Sequence, residues 1–478
     1  TEYPADELQA LWREVLLYQF HDILPGSSIK RVYDESLARY ALMLEDVNNR
    51  ISKYETNLGT LVDTSGMTKP VLVQNSLSWD RVAWCKVENS WIQANSPGMG
   101  YSVVEAQSNA LPELQVAASP THLENDLVSI TFYKTGGITS VIDKRVSREV
   151  IAPDAVANQL LVFQDIGDAW DFALDYAEQL PRQLMLQSVV AGVDGPQAWI
   201  EQVYKLGQST LTQKIILTAN SPRLDFVTKV HWRETSAMLR VRFPVAVLSE
   251  NANYEIQFGH ITRPTHRNTT WDLAQDEVAA HKWVDISQRD YGVALLNDAK
   301  YGHKIKGNVI DLNLLRSVPY PGPHLIEDKD IAQGEAHHGY NDQTDHEFTY
   351  ALYPHSGDHI TGGVLQAGYE LNVPLRVLAV EKGSGVLPRT YAFITIDAPH
   401  IIVESIKKAE DDNSIIIRIY EAANRGIEAN VTFGLHVTRV EEVSLMEKII
   451  KNITVLNNTV TLTWKPFEIK TLKISKQP

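Results

Sequence analysis

Cysteine is nearly absent from this sequence: its 478 residues include one, Cys85. A single thiol cannot close an internal disulfide, which excludes a small disulfide-stapled scaffold. A nucleophilic role for Cys85 competes with a plainer one. It sits in the strand-like run Val82-Ala-Trp-Cys-Lys-Val87, where a small apolar filler is the preferred reading. Long apolar runs are missing as well. No stretch approaches the ~20 residues that a bilayer-spanning helix requires, so no membrane partner is expected. Positive charge is scarce, with 44 basic against 59 acidic residues and a net charge of −15. That balance argues against a nucleic-acid partner, because phosphate backbones call for a positive footprint. The tripeptide His-x-Asp occurs nowhere.

Asn268-Thr-Thr, Asn430-Val-Thr, Asn452-Ile-Thr and Asn457-Asn-Thr match the glycosylation pattern, and with no signal-like leader in view they read as chance matches. A cytoplasmic origin is favoured. The chain opens on Thr1 rather than Met, so an N-terminal piece is expected to precede it.

What is present is apolar and patterned. Hydrophobic residues make up 44%, enough for several cores, and the length fits about three domains at roughly 150 residues each. Leu8, Leu11, Trp12, Val15, Leu16 and Tyr18 to Phe20 recur as one face of a helix. Pro25-Gly26 stops it, and Ser27-Ser28 offers an N-cap for a second helix. That helix runs through Val32, Leu37, Tyr40, Leu44, Val47 and Tyr54, with Gly59 as its stop. From about residue 70 the runs become short and β-like, beginning at Val71–Trp79. Leu127–Tyr133 and Ile138–Ile142 flank the turn Lys134-Thr-Gly-Gly137, a hairpin signal. Others follow at Trp199–Leu206, Leu211–Leu217, Leu224–Trp232 and Leu239–Val247. A last set, Ile401–Ile406, Ser414–Tyr420, Ala429–His436 and Thr459–Trp464, reads as a small terminal sandwich. The Pro-rich stretch Val318–Ile326 reads as a loop.

The sharpest local signal is Gln19-Phe-His-Asp-Ile-Leu-Pro-Gly-Ser27, which places His21 and Asp22 at the C-terminal end of the first helix. A lone histidine there is most often structural, bonded to backbone carbonyls. The pattern, however, resembles the motif of family 38 α-mannosidases in which the His ligates the zinc and the Asp holds the bound sugar. The resemblance continues through Val73-Gln-Asn-Ser-Leu-Ser-Trp-Asp-Arg81, Gln164-Asp-Ile-Gly-Asp-Ala-Trp-Asp-Phe172 and Arg263-Pro-Thr-His-Arg-Asn-Thr-Thr-Trp-Asp272. Further blocks lie at Asp290–Gly302, His346–His355 and Ile406–Glu421, so it covers essentially the whole chain, in family order. It looks most like the bacterial and cytoplasmic branch.

The resemblance implies a mainly β fold with an N-terminal helical part. In that scheme residues 1–62 are a helical-bundle remnant and 63–118 a first β-domain. Residues 119–395 form a large mutarotase-like β-super-sandwich, and 396–478 a small C-terminal β-sandwich. It implies hydrolysis of terminal α-D-mannosyl residues with retained configuration, for which such enzymes use two carboxylates about 5–5.5 Å apart. It implies a zinc held by two His and two Asp, one Asp doubling as nucleophile. The other His lies in a His-x-Asp motif on an N-terminal α/β domain. That motif is lacking here, so the nucleophile and acid/base are expected on a missing N-terminal catalytic domain and no catalytic residue in this chain. What remains is His21 as metal ligand and Asp22 as substrate contact. One imidazole cannot hold a four-coordinate zinc, and the chain alone is expected to be inert.

The partners implied are an α-mannoside, the missing domain and, as for many large enzymes, further copies of the chain in a homo-oligomer. Two other readings stay open: a non-catalytic carbohydrate-binding or assembly module, and a related glycosidase for modified mannosides.

Three further clusters carry paired readings. His337-His338 with His346 and His355 suggests a second metal site, but solvated loop histidines are the plainer account. Asp168, Trp170 and Asp171 are either sugar-binding or a capped turn, with the turn preferred. Arg263, His266, Arg267, Asn268, Trp271 and Asp272 border a saccharide or lock two β-layers together, in even balance.

Overall fold

The computed structural model describes residues 3–106, 114–320 and 339–476. The chain is mainly β, as the sequence reading expected, with two helices at its start. These are α1 (Ala5–Tyr18) and α2 (Lys30–Leu61). α1 ends three residues before His21, so the His-Asp pair lies in a run of turns rather than at the helix end. α2 starts at Lys30, with Ile29 rather than a serine before it. It also runs through Gly59. A Cβ at that position would come within 2.6 Å of Val380 Cγ1, so the glycine permits close packing and does not stop the helix.

The chain divides into two compact units, 1–48 with 113–254 and 262–368, and 49–112 with 255–261 and 369–478. In the first unit, a nine-stranded and a six-stranded sheet share one core with a smaller five-stranded sheet. Strands Gln197–Leu206, Ser209–Thr218 and Leu224–His231 form an antiparallel meander, and Leu224–His231 pairs with the long strand Asp345–Ser356. Their residues alternate buried and half-exposed, the period of a sheet with one face on a core. Phe226 and Tyr350 from the nine-stranded sheet stack 4.9 Å apart and meet Phe243 from the six-stranded sheet at centroid distances of 5.6 and 6.1 Å. At the turn Lys134–Gly137, Gly136 has φ +97°, and a Cβ there would strike the Tyr204 hydroxyl at 2.0 Å. Both backbone and space demand glycine.

In the second unit, Pro70–Asn75 pairs on one side with Gly100–Glu105 and on the other with Arg376–Ala379. Thr390–Ala392 extends the same sheet, so residues drawn into the central region by the sequence reading pair here with the 63–118 segment. The terminal strands form a three-stranded and a five-stranded sheet around Ile417, Val431, Trp464 and Leu472. Of the Pro-rich stretch Val318–Ile326, residues 321–326 lie outside the described residues.

Candidate functional site

α1 has its apolar residues at helical spacing, yet none is buried. Trp12, Leu16, Leu17 and Phe20 are all more than half exposed, and Leu24 on the following turn is 73% exposed. α1 lies against α2 through the Tyr18–Tyr40 ring pair, 5.4 Å apart, and an Arg39–Glu14 ion pair. The guanidinium holds the Glu14 carboxyl below the usual range.

Between the helices, the backbone closes successive turns, with the Ile23 and Leu24 N–H groups both donating to the Phe20 carbonyl. Gly26, at φ +88°, supplies the left-handed step that an L side chain would resist. The Asp22 carbonyl is the anchor of this loop. It accepts from Ser28 Oγ at 2.7 Å and from Tyr33 OH at 3.2 Å, while the Ser28 N–H donates to the Tyr33 oxygen at 2.9 Å. Burial pushes the Tyr33 phenol up, so it stays a neutral donor. Ser27 Oγ donates to Asp22 Oδ1 at 3.3 Å. The serine hydroxyls therefore tie down the turn that carries Asp22.

On this anchored turn the His21 ring rests against Phe20, centroids 4.2 Å apart, with 78% of its side chain exposed. Its Nε2 lies 3.5 Å from Asp22 Oδ2. The half-exposed Asp22 carboxylate keeps unused acceptor capacity beside the imidazole. The pair presents a nitrogen and an oxygen donor to solvent, beside the exposed Phe20 ring. That arrangement can contribute ligands to a shared site. It cannot enclose an ion: among the described residues, no group of three or more His, Cys, Asp or Glu could hold a metal.

The other clusters resolve toward structure. His346 Nε2 bonds the Asp342 carbonyl at 2.6 Å and His355 Nε2 bonds Asp285 Oδ2 at 2.8 Å, so neither converges on a common ion. His337 and His338 lie outside the described residues. Asp168 Oδ1 accepts from the N–H groups of Trp170 and Asp171, which is the capped turn. Arg316 clamps that loop through Asp165 and, at 2.7 Å, the Asp171 carbonyl, leaving the Trp170 ring exposed. In the 263–272 cluster, Thr269 and Asp272 form a reciprocal cap, and Arg267 donates to Asp276 Oδ1 at 2.8 Å. Trp271 stands clear, 81% exposed.

The sequence reading missed a buried ion network in the first unit. Fully buried Arg240 bonds Asp311 and, at 3.0 Å, Glu277 Oε2. Arg242 reaches Asp311 Oδ2 at 2.6 Å, and Tyr176 OH donates to Glu277 Oε1 at 2.5 Å. Burial raises both the Glu277 carboxyl and the Tyr176 phenol. Two arginines at alternate positions of the apolar run Leu239-Arg-Val-Arg-Phe243 were the available signal. They share one strand face and need anions opposite.

Three family models match the chain in order. The α-mannosidase middle domain covers residues 1–58, the glycosyl hydrolases family 38 C-terminal domain 123–324, and the family 38 C-terminal β-sandwich domain 400–472. The chain belongs to glycosyl hydrolase family 38. The turn bearing His21 and Asp22 thus falls within the family's middle domain, and both β-units carry its C-terminal domains. The chain is 34% identical to alpha-mannosidase 2C1 of Homo sapiens, over all of this chain and 46% of that protein. It is 32% identical to alpha-mannosidase G of Dictyostelium discoideum, over 98% of this chain and 48% of that protein. The chain therefore spans about half the length of the curated relatives it matches, and these relatives do not single out a bacterial branch. The crystal structure of an alpha-mannosidase from Enterococcus faecalis V583 shares the fold, with a TM-score of 0.81 at 14% identity, over 99% of this chain and 64% of that one.

Proposed function

We propose that this family 38 chain is the C-terminal portion of a retaining, zinc-dependent α-mannosidase, with the nucleophile and acid/base on a segment outside it. The observation that carries the reading is the exposed imidazole of His21, held on an anchored turn against the exposed Phe20 ring. An imidazole meant for structure would bury its ring or spend its nitrogens on carbonyls. One meant to meet a second surface would look like this.

The donor set fits a contributed ligand and nothing more: His21 would supply one nitrogen to zinc, and the other ligands would come from outside this chain. When bound, zinc would serve as a Lewis acid and template for sugar hydroxyls. Asp22 accepts a hydroxyl hydrogen bond from the mannose and so fixes the ring's orientation. The Ser28 and Tyr33 bonds hold the Asp22 backbone in place, which fixes the position from which its carboxylate projects. The exposed Phe20 and Leu24 side chains on the same turn would exclude water once a partner surface covers them. A cytoplasmic setting suits the near absence of cysteine.

The test uses the full-length protein, with zinc content measured by mass spectrometry and hydrolysis of an aryl α-mannoside. Loss of an outer-sphere partner of a metal ligand costs about 10–100-fold, and loss of a ligand should cost more. His21→Ala should therefore lose bound zinc and cut kcat/KM by more than about 100-fold. Asp22→Asn should raise KM while the zinc stays. The isolated chain should show no hydrolysis. Full activity and full zinc in His21→Ala would sink the assignment.

The exposed indoles of Trp170 and Trp271 favour a second reading, a β-region that binds carbohydrate without catalysing. It separates cleanly from the first, because oligomannoside binding would then survive His21→Ala and fall in the Trp variants.

A further inference from the structure

The turn that carries His21 and Asp22 is tied down by Tyr33, and Tyr33 is itself held from far along the chain. Its ring lies against that of Tyr320, centroids 5.5 Å apart. Backbone bonds fix where the Tyr320 ring stands. The Tyr320 N–H donates to the Gly339 carbonyl at 3.1 Å and the Asn341 N–H to the Val318 carbonyl at 2.9 Å, with Pro319 bridging Tyr340 between them. Below this stem, Asp342 Oδ2 accepts from the Arg316 N–H at 3.0 Å, and the Asp342 carbonyl bonds His346 Nε2 at 2.6 Å. The stem is thus rooted in two strands of the first unit, Val309–Ser317 of the six-stranded sheet and Asp345–Ser356 of the nine-stranded one. It meets α2 at a second point. A Cβ on Gly339 would come within 3.0 Å of Lys30 Cδ and 3.5 Å of the Tyr320 ring. The Lys30 ammonium is committed to Asp34 at 2.6 Å, so its alkyl chain makes this contact. Burial pushes both phenols up, and the two rings stay neutral.

We propose that Tyr320 is a positioning residue for the sugar contact: through Tyr33 it sets where the Asp22 carboxylate stands, and so couples the sheets of the first unit to the site. This rests on the reading of Asp22 as the group that holds mannose. The linkage is short. The Tyr33 oxygen accepts from the Ser28 N–H at 2.9 Å and faces the Asp22 and Ile23 carbonyls at 3.2 and 3.3 Å, so one phenol touches the turn at three backbone points. The turn has little packing of its own, since the His21 and Asp22 side chains are 78% and 50% exposed. Where the Tyr33 ring goes, the Asp22 backbone follows. A displacement of about 1 Å at a positioning group can cost on the order of 100-fold, whereas an aromatic pair is worth only about 2–10-fold in an equilibrium. The smaller figure bounds what the loss of the Tyr320 ring can do.

The test is steady-state hydrolysis of an aryl α-mannoside by the full-length protein, with zinc content and melting temperature measured for every variant. Tyr320→Ala should raise KM about 3–10-fold with kcat nearly unchanged, because the contact it loosens is made to the sugar before and during reaction alike. Zinc should stay bound, since the linkage reaches the turn through carbonyls and not through the imidazole. Tyr320→Phe keeps the ring and should keep KM. Tyr33→Phe keeps the ring pair but removes the hydroxyl link, and it should raise KM by a similar factor even if Tyr320→Ala folds poorly. In an Asp22→Asn background, Tyr320→Ala should add little, because the group it positions is already impaired, whereas independent sites would multiply. If Asp22→Asn alone leaves KM unchanged, the sugar-contact reading fails and the positioning role falls with it. If Asp22→Asn raises KM, four results overturn the positioning role alone. They are a Tyr320→Ala protein that loses melting temperature without change in KM, one that loses its zinc, effects that multiply with Asp22→Asn, and a Tyr320→Phe protein no better than Tyr320→Ala.

Discussion

In α1 not one residue is buried, while in the sheets of the first unit Phe226, Phe243, Leu295 and Tyr350 have no exposure at all. Both regions are rich in large apolar side chains, and both follow the period of their secondary structure. The sheets bury those side chains against one another within the unit. The opening helix leaves Trp12, Leu16 and Leu17 in solvent, and the turn after it, which bears His21, leaves Leu24 there too. Soluble chains rarely expose such a cluster unless another surface covers it. The contrast separates residues that hold this chain together from residues that serve something beyond it. Substitutions should therefore divide into two classes, costly to folding in the sheets and nearly silent to folding in α1.

The largest effect is expected at Arg240. Its guanidinium is fully buried between Asp311 and Glu277, and Arg240→Ala would leave Glu277 without its main counter-charge and Asp311 with Arg242 alone. Breaking such a pair on one side costs about 3–5 kcal/mol, which urea unfolding would report as a lowered midpoint. A loss under about 1 kcal/mol would mean that water reaches the network and the sheet interior is less closed than described.

Next is His303, buried in the same sheet with Nε2 unpartnered and Nδ1 on the Tyr301 carbonyl at 3.1 Å. Burial pushes its pKa down to about 4 from an ordinary 6.5. As pH falls, the unfolded chain takes up this proton first. The contribution to stability is complete above about pH 6.5 and is lost as pH falls toward 4, a change of about 3 kcal/mol. Unfolding measured at pH 7, 5.5 and 4.5 should show that decline, and His303→Gln should flatten it. An unchanged slope in the variant would assign the acid sensitivity to other groups.

Gly136→Ala comes third. It would push a Cβ onto the Tyr204 hydroxyl and force an L residue to φ +97°, a strain of about 1–3 kcal/mol. Tyr204→Phe in the same background should recover part of the loss, since it removes the oxygen that the new methyl strikes.

The hairpin at Gly136 was readable because its cause is local: two glycines between two alternating apolar runs. So were α2 and the meander strands from Trp199 to Trp232, where periodicity alone suffices. What escaped depends on residues far apart in sequence. Arg240, Glu277 and Asp311 come from separate strands and loops, and no window of sequence holds all three. Gly59 read as a helix stop because its partner, Val380, lies more than three hundred positions on. The strand Met185–Asp194 was missed because Gln187-Ser188 and Gly192 dilute its pattern, and the helix Val364–Asn372 because glycines precede it. The His21 turn was half legible. Its Pro-Gly punctuation and serines are local signals, but the grip of Tyr33 on the Asp22 carbonyl comes from the next helix, and the helix end was placed three residues too late.

The smallest effect on folding is the most informative for function. In the isolated chain, Trp12→Ser with Leu16→Ser exchanges exposed apolar surface for polar surface, and surface changes of this kind stay within about 0.5 kcal/mol. Unfolding of the variant chain should therefore be indistinguishable from wild type, with improved solubility. In the full-length protein the same pair should weaken the seat of the His21 turn against the covering segment. Burying a large apolar side chain contributes about 1.5–3 kcal/mol, so two of them should destabilise that contact measurably. Limited proteolysis between the two halves, or a lower first transition on heating, would register it, and zinc content should fall in parallel although no ligand has been touched. If instead the isolated chain loses stability, α1 is part of this chain's own core and its exposure has another meaning. If neither protein responds, the apolar face is idle, and His21 stands without the covering surface that its proposed role requires.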